Sequence, residues 1–157
     1  MSLGVVVMLG LVLAVGIVSL SAQANDPRIG TWKANIAKSK YNPGPAPKSL
    51  TVKVEASGKG EKVSTESVAA DGQTTKTSYT ANFDGKDHPL TGSPTANTVS
   101  LKRIDARTTE RTDKKDGKVT LTLTRVVSQD GKTMTVTTTG TNAQGQPVNN
   151  VIVFEKQ

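Results

Sequence analysis

The chain has no cysteine, one histidine, and one tryptophan, two tyrosines and two phenylalanines in 157 residues. The missing thiols exclude a disulfide scaffold and every cysteine-ligated zinc site. A single histidine excludes a multi-histidine metal centre, and His88, beside Pro89, reads as a surface residue rather than a general base. No Gly-x-Ser-x-Gly nucleophile elbow occurs, and the Asp-Gly pairs lack the ligand spacing of a calcium loop. Nothing singles out a carboxylate pair for hydrolysis. The expectation is therefore no catalytic residue, no metal, no cofactor and no enzymatic step. The formal net charge is +7, but nucleic-acid binders join a basic surface to stacking aromatics, and here the aromatics are needed inside. No nucleic-acid partner is expected. The basic excess reads as a solvated surface, with weak attraction to an anionic membrane or envelope surface.

Charge is also missing from residues 1–24, which carry a nearly unbroken apolar run over 5–18. The run ends in Ala22-Gln23-Ala24, a small-x-small cleavage pattern. Residues 1–24 are read as a signal peptide cleaved after Ala24, and residues 25–157 as one exported domain, periplasmic or secreted. If the segment is not cleaved, residues 3–20 approach membrane-spanning length and would act as an anchor. Without cysteine there is no lipid-attachment site.

What is present is strand chemistry. Threonine occurs 22 times, and Asp-Gly recurs at Asp71-Gly72, Asp84-Gly85, Asp116-Gly117 and Asp130-Gly131. β-Branched residues pack well on a pleated sheet, and Asp-Gly suits type I′ hairpins, whose two central residues take positive φ. No segment shows a sustained helical period. Nine strands are predicted, over 29–35, 50–56, 61–69, 74–83, 97–104, 107–114, 118–127, 132–140 and 147–156. Leu50, Val52 and Val54 share one face of their strand, as do Tyr79, Ala81 and Phe83, and Val119, Leu121 and Leu123. Such alternation leaves one face buried and one wet. The proline-rich stretch 42–48 and the segment 87–94 read as irregular connections. The fold class is all-β: a single antiparallel up-and-down barrel of about eight to ten strands, with a β-sandwich as the alternative.

At the head of the first strand stands Gly30-Thr31-Trp32. This Gly-x-Trp resembles the opening motif of the lipocalin-like, or calycin, β-barrels, and the later hairpins look like small bacterial exported lipocalin-like domains of unassigned role. The resemblance implies that Trp32, with Gly30, plugs the closed end of a barrel and that a small apolar or amphipathic ligand is held inside. Where that group often packs an arginine over the tryptophan, Lys156 is the residue nearby in register. Residues 36–49 are too short and proline-rich for the helix pair that lids fatty-acid-binding proteins.

Alternation also extends to two arginines. Arg103 follows Val99 and Leu101 at i+2 spacing, and Arg125 follows Leu121 and Leu123 in the same way. Two guanidiniums on an apolar face would hold a carboxylate or phosphate head group. The other reading places them at strand ends, freed by a bulge or paired with an acid. Tyr79, on the Phe83 face, could add a hydroxyl to the same site. Arg103, Arg125 and Tyr79 are thus the candidate ligand-binding residues of a protein that carries a small hydrophobic or amphipathic ligand, anionic if both arginines take part. The alternative function is a ligand-free envelope structural or inhibitor-like interaction module. Cavity volume discriminates the two, because a filled lumen leaves no room for cargo.

Overall fold

Two-faced strands have exposed edges, and a long antiparallel meander removes them by closing on itself. The computed structural model describes residues 25–157, and the leader read at 1–24 lies outside the described residues. Ten strands follow in chain order: β1 (Gly30–Ala34), β2 (Ser49–Ser57), β3 (Gly60–Val68), β4 (Thr74–Asn82), β5 (His88–Thr91), β6 (Thr98–Arg103), β7 (Thr108–Lys115), β8 (Lys118–Val127), β9 (Thr133–Thr141) and β10 (Pro147–Lys156). Each pairs antiparallel with its chain neighbour, and β1 also pairs with β10 through Trp32↔Lys156, Lys33↔Glu155 and Ala34↔Phe154. The sheet is a closed up-and-down barrel, as the lipocalin-like resemblance implies, and not a sandwich.

The tenth strand is β5, inside the segment read as an irregular loop. It has four residues, contains Pro89, and pairs over only two positions with each of β4 and β6. So short a run shows no alternation for a sequence reading to catch. The stretch between β1 and β2 holds one 3-10 turn, Ile36–Lys38, and a lone bridge from Lys40 to Val151.

The four Asp-Gly turns are not alike. Only Asp116-Gly117 has both residues at positive φ, 51° and 80°, and it joins β7 to β8 as the tight hairpin expected. At the other three only the glycine is at positive φ. There the aspartate stays in ordinary conformation and its carboxylate accepts the backbone N–H two residues on, from Gln73, Lys86 and Lys132. Asp side chains cap their own turns in this way, so the longer loops do not need the primed geometry.

Inward residues follow the predicted alternation on most strands. Val54, Val63, Val99, Leu101, Val127 and Met134 are buried. Val119 departs from the face it was expected to share with Leu121 and Leu123: it pairs with Lys114 beyond a register shift and is 60% exposed. β7 is different in kind, since its eight residues, TTERTDKK, include no apolar side chain. Its buried members are Thr109 and Asp113.

Candidate functional site

One end of the barrel is plugged. Trp32 is fully buried, and its Nε1 donates to the Arg28 carbonyl at 2.8 Å. Lys156, its cross-strand partner, carries its ammonium 5.1 Å from the centre of the indole and donates to the Pro27 carbonyl at 3.0 Å. A cation over an indole face is attracted by the ring quadrupole. Gly30 makes this crossing possible. Its φ is +139°, and a Cβ there would stand 2.7 Å from Lys156 Cε. Trp32 is therefore held inside the barrel by the Arg28 carbonyl, with Lys156 over its ring.

Above the plug lies a buried chain of charge. The Arg28 guanidinium is forked onto Asp26 and reaches Glu61 Oε2 with Nη1 at 2.8 Å. Glu61 Oε1 accepts from the Tyr79 hydroxyl at 2.7 Å and sits 2.7 Å from Arg125 Nη2. Arg125 Nε donates to Thr109 Oγ1 at 3.0 Å. Burial by itself would raise the Glu61 carboxyl, but the Arg125 and Arg28 charges outweigh it and hold it below the usual carboxylate range. Burial raises Asp26 likewise, and hydrogen bonds from Arg28 and Arg103 more than offset this. Burial pushes the Tyr79 phenol up to about 12, with Glu61 adding to the shift and Arg125 opposing it. Tyr79 thus remains a neutral donor to a carboxylate that remains charged.

Arg103 takes no part in an interior site with Arg125. It stands at the last position of β6, its side chain 35% exposed, where Nη2 donates to Asp26 Oδ2 at 2.7 Å. Both guanidiniums lie over the Phe83 ring, that of Arg103 at 4.5 Å and that of Arg28 at 4.6 Å from its centre. The segment before β1 supplies the acid that claims it at the plugged end. This corrects the expectation of a two-arginine pocket and matches the strand-end reading for this residue. Arg125 is inside, as its alternation predicts, but already faces Glu61.

Beyond Arg125 the barrel is hollow, with a cavity of about 270 Å³. Apolar side chains line it from β8, β9 and β10, through Leu121, Leu123, Met134, Val136, Ile152 and Phe154, and from β2 and β3, through Val52 and Val63. Thr65 and Thr77 of β3 and β4, and Ser93 and Thr95 of the β5–β6 loop, add hydroxyl-bearing side chains. In the ten-strand order, β4 stands half-way round from β9. To this lining β7 contributes Arg111 and Asp113, an ion pair of two parallel bonds at 2.6 and 2.7 Å. Arg111 also lies over the Tyr79 ring at 4.9 Å, so the hydroxyl of Tyr79 serves Glu61 while its face serves the cavity arginine.

Five of these residues are absent from the sequence reading. Glu61 was within reach of it, because Glu61 precedes Val63 at the i+2 spacing applied to the arginines. Asp26 and Arg28 precede the first strand, where no alternation exists. Arg111 and Asp113 were hidden by a bulge. Counting back from the Asp116-Gly117 turn pairs Asp113 with Thr120 and faces it outward. The register shift between Asp113 and Lys114 pairs Asp113 with Leu121 and Arg111 with Leu123 instead, which turns both inward.

No family model matches the chain, and no curated protein matches it. Among solved structures it is similar to a zebrafish ileal bile acid-binding protein complexed with cholic acid, at 12% identity and a TM-score of 0.48, over 83% of this chain and 99% of that one.

Proposed function

We propose that the protein binds one small amphipathic molecule inside the barrel, above the charge chain, and carries out no chemical step on it. The observation that carries this reading is the cavity of about 270 Å³, lined by apolar side chains of β2, β3, β8, β9 and β10 together with threonine and serine hydroxyls. Its volume is roughly that of nine waters of liquid, near the lower end of ligand pockets. Apolar walls exclude water from the ligand's body, and a few polar groups fix its head. A ligand-free interaction module calls for a filled lumen, and the cavity favours the ligand-binding reading over it.

Native mass spectrometry of the purified protein tests the proposal by looking for a retained small molecule. The companion variant is Val136→Phe, which puts a ring into the cavity. It should keep the fold, with stability within ~1.5 kcal/mol of wild type as for a tolerated core change, and should lose the ligand. A wild-type protein that retains and binds nothing, or a filled variant that binds as before, refutes the proposal. The export reading belongs with it: the exported protein should begin at Asn25, and N-terminal sequencing that finds residues 1–24 attached would replace the signal peptide by an anchor.

A further inference from the structure

The cavity presents two guanidiniums, which suggests an anionic ligand until the charges are counted. Each buried cation already has a buried anion. Arg28 is paired with Asp26 and Glu61, Arg125 with Glu61, and Arg111 with Asp113 in a bidentate contact. Two buried arginines, and Arg111 with its side chain 14% exposed, thus meet three buried acids. Arg103, the remaining cation of the group, is partly exposed and held by Asp26 at the far end. A ligand carboxylate entering the cavity would lose its water and find both guanidiniums that line it, Arg111 and Arg125, already set against a carboxylate. To reach Arg111 it would have to displace Asp113, whose side chain is 4% exposed and would then be a buried anion without its partner. A neutral head meets no such penalty. Thr65, Thr77, Ser93 and Thr95 line the cavity with hydroxyls that can both donate and accept.

We propose that the cavity selects uncharged, hydroxyl-bearing amphipaths over carboxylates, and that Asp113 is the residue that sets this selection by neutralising Arg111. The proposal rests on the ligand-binding reading and names the class of ligand. Asp113 acts as a built-in carboxylate, occupying the guanidinium fork that an anionic ligand would otherwise take.

The test is isothermal titration calorimetry with two probes of equal chain length, decan-1-ol and decanoate, at pH 8, where decanoate is ionised. Wild type should bind the alcohol at least tenfold more tightly than the carboxylate. D113N keeps the shape of the side chain and removes its charge, leaving Arg111 without its anion. In this variant the affinity for decanoate relative to that for the alcohol should rise at least tenfold. A wild-type preference for decanoate overturns the inference and leaves ligand binding standing. A folded D113N that gains no affinity for decanoate relative to the alcohol also overturns it. If neither probe binds wild type or variant, the binding reading itself fails. Should D113N not fold, as a thermal melt would show, the wild-type comparison of alcohol with carboxylate decides alone.

Discussion

Glu61→Gln is the sharpest perturbation of this barrel. The side chain is 1% exposed, and its two oxygens meet Arg28 at 2.8 Å, Arg125 at 2.7 Å and the Tyr79 hydroxyl at 2.7 Å. The amide keeps the size and removes the charge. Arg28 retains Asp26, but Arg125 loses the carboxylate it is paired with, and one amide N–H₂ is turned toward a donor. Removing one partner of a buried ion pair costs about 3–5 kcal/mol, because the other charge stays buried and uncompensated. Against a total stability of roughly 5–15 kcal/mol, that is about a fifth of the fold or more. For a domain of this size it lowers Tm by roughly 10–20 °C. Urea denaturation read by far-UV circular dichroism gives the difference directly. The control is the triple variant Glu61→Leu, Arg125→Met, Tyr79→Phe, which removes the charges and the hydroxyl together. Apolar replacement of a whole buried network is often neutral, so the triple should recover at least half of the loss. A Glu61→Gln protein within ~1 kcal/mol of wild type, the ordinary worth of a single net hydrogen bond, refutes the reasoning. So does a triple variant no more stable than the single.

Acid should weaken the fold in a defined window. Asp26 and Glu61 titrate below their ordinary values when folded, so their contribution is present above about pH 4–5 and is lost as pH falls through the folded values. Urea midpoints should be level from pH 8 to 5 and fall below that, and Glu61→Gln should flatten the fall. In alkali the sign is opposite for Tyr79: its folded pKa of about 12 lies above the unfolded 10.0, so its contribution is intact below pH 10 and is lost between 10 and 12. Absorbance at 295 nm should show one tyrosine ionising only near pH 12, and two tyrosines titrating normally in the native state would contradict the buried Glu61 contact. Trp32, fully buried and outside the cavity lining, should emit to the blue and resist acrylamide until the protein unfolds. Its emission should not move when a ligand occupies the cavity, and a shift on binding would mean that the ligand reaches the plug.

Alternation in β2, β4, β8 and β9, with turns at short intervals, was enough to determine an antiparallel meander. A period of two has one buried face whatever the sheet's final shape. Gly30-Thr31-Trp32 likewise pointed to an indole inside the barrel, and Trp32 is fully buried. The burial of Arg125 followed from the same alternation. The partners of these residues did not. Asp26 reaches Arg103 across 77 positions of chain, and Glu61 joins Arg28 and Arg125 from three separate elements. Such meetings depend on which strands become neighbours when the sheet closes. β7 shows the limit most plainly. With no apolar residue it has no preferred face of its own, and a single register shift beside Asp113 decides that Arg111 and Asp113 look inward. The sequence by itself determined a two-faced sheet with a stopper. Only the tertiary structure decided how its buried charges are shared out, because pairing of ions is settled by distances across the closed barrel and not by spacing along the chain.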